Sequence, residues 1–131
     1  MKFSKFIYAT LASFFGMFVL STIWYVFLMA DFFAQHRPAI ARESALIQYI
    51  LLSYLILAAL MTYVYQMTDK TGRPAAHGFK VGALLGLIYF FPLSLGFYAI
   101  WQTSAPAFLV DSVWHLFEQG IGGVVIALIY K

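Results

Sequence analysis

Asp111, His115 and Glu118 stand close together in the stretch VDSVWHLFEQGIGG, near the C-terminal end of the chain. Two carboxylates and an imidazole are residue types that relay protons, hold a cation or ligate a metal. At about 100° per residue, His115 lies about 40° to one side of Asp111 and Glu118 about 20° to the other, so the three occupy one narrow helical stripe. Gly122 falls on the same stripe and Gln119 borders it. Val113, Leu116, Phe117 and Val124 take the opposite side, which suits contact with lipid.

The elements that must position this stripe are membrane helices. The 131 residues are 63% hydrophobic, 20% aromatic and only 10% charged, too little charge to cover a water-facing surface. Long, nearly charge-free runs predict an all-α polytopic membrane protein, a four-transmembrane-helix bundle with helices at about 6–30, 45–68, 79–101 and 105–130. Barrel strands would alternate in segments of about ten residues, whereas these runs are continuous. Before the last helix, QTSAP is a polar turn in which Ser104 is a natural N-cap and Pro106 a natural first-turn residue. The first run follows Lys2 and Lys5, yet it is too long and too aromatic at its far end for a signal peptide, so it is expected to stay as a helix. With no linker visible, 1–131 reads as a single integral membrane domain.

Charge fixes an expected orientation. Lys2, Lys5, Lys70, Arg73, Lys80 and Lys131 fall on one side and Arg37 and Arg42 on the other, which puts both termini in the cytoplasm. The basic residues cap apolar runs and form no patch, so nucleic acid is not an expected partner. The expected partners are the lipid bilayer and other membrane-protein subunits or a second copy of the chain. The location expected is the bacterial inner (cytoplasmic) membrane.

Helix packing in lipid needs small or polar contact residues. Gly78, Gly82 and Gly86 recur every four residues and so share one face of the third helix, either for packing within the bundle or for a homodimer seam. Gly122 offers a further small position on the fourth. Thr10, Ser13, Met17, Ser21, Trp24 and Asp31 mark an inward face on the first helix. Ser44, Gln48, Ala58, Ala59, Thr62 and Gln66 mark one on the second. Pro92 removes a hydrogen bond to Ile88 in the third helix, which shapes the bundle or opens a polar cavity.

An isolated charge near mid-membrane costs at least about 2.5–3.5 kcal/mol, so Glu118 must be protonated, paired or wetted. Ser21, Thr62 and Tyr89 are candidate partners. Three readings of the Asp111, His115 and Glu118 stripe stay open: a satisfied network fixing helix register, a proton or cation pathway, and a metal site helped by Asp31 or His36. No metal ligand set or cofactor is assigned from the sequence. His36 and His77 read as solvated loop residues, and DKTGR as a tight turn rather than a phosphate loop. The absence of cysteine excludes disulfides and thiolate metal sites. No nucleophile and base pair off, so nothing supports an enzyme.

Trp24 near the far end of the first helix, a glycine step before Tyr89 in the third and V-D-x-x-W at Val110, Asp111 and Trp114 together resemble a family of small four-helix bacterial inner-membrane proteins, the domain-of-unknown-function family 2177. The resemblance covers nearly the whole chain and implies fold and location, with no activity attached. Ser21 stands where that family usually has an acid, and the apolar PLSLG where it has a polar D-x-T-N step, so His115 and Glu118 look like this chain's own additions. Two classes follow: a non-enzymatic accessory or interaction subunit of a membrane complex, or a proton- or cation-coupled transporter or channel using the stripe.

Overall fold

A computed structural model describes residues 2–131. The first element, α1 (Phe3–Thr22), runs directly into a π-helical turn, Ile23–Leu28. Short α2 (Ala30–Gln35) follows, then α3 (Ile47–Met67), α4 (Pro74–Ile100) and α5 (Ala105–Tyr130), with no strand among the described residues. Four segments are long and apolar enough to cross a membrane: Phe3–Leu28, Ile47–Met67, Pro74–Ile100 and Ala105–Tyr130. The four spans return the chain to its starting side, here called the termini end.

The last helix has the predicted bounds, and its start is fixed by local chemistry. Ser104 is extended, and its Oγ accepts from the Ala107 N–H at 3.3 Å, with Pro106 in the first turn. Two other spans differ from expectation by three residues or more at one end. The third span starts at Pro74 rather than 79, because Pro74 supplies the helical φ, Arg73 is extended, and Ala75, Ala76 and the residues up to Lys80 continue the helix. Apolar length marks the hydrocarbon, whereas the helix itself protrudes beyond it. The first span begins at Phe3 and ends at Leu28. Met29, with φ −120° and ψ 15°, breaks it before α2.

The π turn has a positional consequence. Met29 N–H reaches the Trp24 carbonyl, five residues back, at 2.8 Å. The wider turn brings two consecutive side chains, Trp24 and Tyr25, onto α5. The Trp24 and Trp114 rings stack with centroids 4.4 Å apart and planes 1° from parallel, pinning the first span beside the start of the stripe.

The central helix is α5. Half of its most apolar window is buried, 50%, against 17%, 17% and 11% for the other three spans. On one side it meets α1, which in turn carries α3, and on the other it meets α4. The glycines explain why the α4 and α5 pair is closest. A Cβ at Gly78 would lie 2.4 Å from the Gly123 carbonyl oxygen, one at Gly82 2.0 Å from that of Gln119, and one at Gly86 2.4 Å from that of His115. Only hydrogen fits there, and the two backbones touch along three turns. Gly122 instead admits side chains of α1, since a Cβ there would meet Met17 Sδ at 2.7 Å. Ser13 Oγ donates to the Gly122 carbonyl at 3.2 Å.

On α1 the buried positions are Ala9, Thr10, Ser13, Met17 and Ser21, while Asp31 lies beyond the break and is exposed. On α3 the inward face is Tyr54, Ala58, Met61, Thr62 and Tyr65, with Ser44 and Gln48 exposed. Polarity is a poor guide near a span's end, where headgroups and water satisfy polar side chains and leave the inside to aromatic bulk. α4 runs without a break through Pro92, which is exposed. At the termini end DKTGR is a turn around Gly72, whose φ of +78° suits glycine. His77 lies within α4 instead of a loop, bonded through Nε2 to Thr68 Oγ1 at 2.8 Å. Lys70 sits over the Tyr65 and Tyr130 rings at 5.8 and 5.2 Å.

Candidate functional site

Helix α5 starts at Ala105, so a rise of about 1.5 Å per residue sets Asp111 about 9 Å and Glu118 about 20 Å from its far end, the latter close to mid-helix. Glu118 is wholly buried, and the side chains of His115 and Asp111 are 10% and 16% exposed. Such a group needs partners from the protein itself. Glu118 has three. Tyr54 on α3 donates to Oε1 at 2.9 Å, Gln119 Nε2 donates to Oε2 at 2.8 Å, and His115 Nδ1 lies 3.2 Å from Oε2.

His115 joins the two carboxylates. Its Nδ1 also lies 3.2 Å from Gln119 Oε1, so both neighbours of that nitrogen are acceptors and Nδ1 carries the proton. Nε2 faces Asp111 Oδ2 at 3.9 Å, beyond hydrogen-bond range. Asp111 is held from the first span instead, where the Tyr25 hydroxyl donates to Oδ1. Aromatic rings of α4 cover the imidazole, Phe90 at 4.2 Å and Tyr89 edge-on at 6.0 Å. The Gly86 contact with the His115 carbonyl makes that approach possible. The sites therefore form one line, Tyr25, Asp111, His115, Glu118, Tyr54, with Gln119 bracing its centre and Met17 Sδ 4.0 Å from Gln119 Nε2.

The line is open at one end. Asp111 and Tyr25 border a cavity of about 340 Å³ at the far end of the bundle, lying between α2 and α4 with α5 behind it. Phe33, Phe90, Phe97 and Phe108 supply aromatic walls, Ser94 and Ser104 the polar ones, and His36 and Arg37 are also in the lining. His36 is thus no free loop residue: its ring lies 4.4 Å from that of Phe32, and Nδ1 contacts the Phe32 carbonyl at 2.8 Å. At the other end the line stops at Tyr54 and Gln119. Between Glu118 and the termini-end residues His77, Lys80 and Lys131, α5 buries Gly120, Gly122, Gly123, Ile126 and Ala127.

Of the candidate Glu118 partners, Ser21 lies beside the Tyr54 hydroxyl rather than on Glu118, Thr62 bonds instead to the Ala58 carbonyl at 2.8 Å, and Tyr89 faces the His115 ring. The residues that sequence reasoning missed are Tyr25 and Tyr54. Tyr54 lies seven positions into α3, about 10 Å inside its start. A tyrosine so far from the interface needs a partner for its hydroxyl, and that depth was the available signal. No group of three or more described His, Asp or Glu side chains has metal-holding geometry, and Asp31 and His36 do not join the stripe. No family model, no curated protein and no solved structure matches the chain.

Proposed function

We propose that this protein is a non-enzymatic accessory or interaction subunit of a membrane complex, in which the α5 network fixes how the helices pack. The observation that carries the reading is the closure of that network. Both Glu118 oxygens have partners within the protein, and the termini half of α5 packs backbone to backbone on α4. A satisfied buried network specifies register, and a helix pair in direct backbone contact has no room for water. The glycine seam is consumed within the chain, so a partner must use other surfaces. Exposed apolar faces of α3 and the far half of α4 are available for that. Purification from the native membrane in a mild detergent is expected to yield a stoichiometric complex with a second, different chain. Recovery as a monomer or homo-oligomer alone would count against the reading.

The resemblance to the small inner-membrane family fits a location in the bacterial inner membrane. Six Lys and Arg residues lie at the termini end and two at the far end, which favours cytoplasmic termini. Alkaline phosphatase fused after Lys131 is expected to be inactive, and the same enzyme inserted in the 37–42 loop active. The opposite pattern would invert the sidedness of the cavity. One observation favours a second reading, proton- or cation-coupled transport: Asp111, at the head of the line, borders the far-end cavity.

A further inference from the structure

The α5 stripe is unbalanced in charge. It holds two carboxylates and one imidazole, so with every group ionised one negative charge is left over. The two acids differ in what already holds them. Glu118 is sealed, with partners on both oxygens. Asp111 has Tyr25 on Oδ1, while Oδ2 has only His115 Nε2 at 3.9 Å, and its carboxylate borders the cavity. The open acceptor of the stripe is therefore Oδ2, beside a space of about 340 Å³, which is within the size range of small-molecule sites.

The other groups around this carboxylate do not neutralise it. Tyr25 approaches from the first span and His115 and Glu118 from α5. Tyr89 on α4 and Tyr54 on α3 act only through His115 and Glu118. Across the cavity, Arg37 is exposed and bonded to the Arg42 carbonyl, so its charge is screened by water and salt, and His36 is tied to the Phe32 carbonyl. An anion in the cavity would meet the carboxylate, and a neutral guest without a hydrogen-bond donor would leave Oδ2 without a partner. A cation with an apolar body satisfies both the carboxylate and the aromatic walls.

We propose that the far-end cavity is a binding site for a small lipophilic organic cation, with its charge against Asp111 Oδ2 and its body among Phe33, Phe90, Phe97 and Phe108. The site requires binding only, and rests neither on the accessory-subunit reading nor on transport. Cation and proton compete for the same oxygen. Binding therefore strengthens as pH rises and releases a proton whenever Asp111 starts protonated.

Benzyltrimethylammonium is a suitable probe, since its charge is permanent and only the protein can titrate. Calorimetric titration of the full chain in nanodiscs is expected to give one saturable site per chain. Affinity should fall at least about tenfold in Asp111→Asn. Asp111→Asn keeps an acceptor for Tyr25. Ser94→Trp fills the cavity from α4 and leaves every residue of the α5 network in place, and is expected to abolish binding even if the first variant folds poorly. Benzenesulfonate, an aromatic anion, should not bind. The proposal is overturned by absence of saturable binding to wild type, by unchanged affinity in folded Asp111→Asn or Ser94→Trp, or by equal affinity for benzenesulfonate.

Discussion

Gly82→Leu is expected to lower the stability of the detergent-solubilised protein by about 3 kcal/mol or more, the upper end of the range for overpacking a filled contact. The reason is what a side chain at that position meets. The nearest atoms to a Cβ are Gln119 O at 2.0 Å, Gln119 C at 2.8 Å and Gly120 Cα at 3.1 Å, all backbone of a helix that cannot give locally. The helices must separate. Gly86→Leu is expected to behave alike, with His115 O at 2.4 Å from its Cβ, and separation there also exposes the imidazole. Two changes on the same helix serve as controls. Nothing lies within 4 Å of a Cβ at Gly96, so Gly96→Leu should be neutral or stabilising by up to about 1 kcal/mol through helix propensity. Leu87 is 38% exposed, and Leu87→Ala should stay within about 0.5 kcal/mol of wild type. Thermal unfolding followed by circular dichroism measures all four, and equal midpoints for Gly82→Leu and Gly96→Leu would remove the α4 and α5 seam from the account.

That seam was legible as a spacing but not as a partnership. Glycines at 78, 82 and 86 must share a helix face, whichever surface that face meets. What the spacing could not supply is the facing set on α5, where Gly120 and Gly123 sit outside the polar stripe, so that the face toward α4 and the face toward α1 divide one helix between them. The same distinction separates what was readable in the site from what was not. Asp111, His115 and Glu118 are neighbours on one helix, and helical geometry alone puts them in line. Tyr25 and Tyr54 come from other spans, and their approach depends on the rotation of α3 and on a π turn that nothing in the IWYVFL segment announces by composition. The apolar runs gave the spans because bilayer thickness sets a length that sequence must meet, yet they misplaced the start at Pro74 and the break at Met29, where cap and backbone conformation decide instead.

The other large effect is expected at Glu118, where charge and shape are separable. Glu118→Leu removes the acceptors for Tyr54 Oη and Gln119 Nε2, and one of the two available to His115 Nδ1. Each buried donor left without a partner costs about 1–3 kcal/mol, so the variant should lose about 3 kcal/mol or more, or fail to fold. Glu118→Gln keeps an amide oxygen for one donor and offers Tyr54 a hydrogen bond in the reverse sense, while Gln119 Oε1 still takes the His115 proton. Its expected cost is about 1 kcal/mol. Under the accessory-subunit reading, Glu118→Gln therefore folds and assembles with its partner much as wild type does. A conducting pathway makes the contrary demand, because a relay needs a site that gains and loses a proton, and glutamine cannot do so. The two outcomes separate in one pair of measurements, thermal stability of both variants and pH-driven dye response in proteoliposomes carrying wild type or Glu118→Gln. Stability ranked wild type, Gln, Leu with no flux in any vesicle is the result the closed network requires. Flux through wild type that vanishes in well-folded Glu118→Gln would mean that the line from Asp111 continues past Tyr54, and that Glu118 carries protons rather than register.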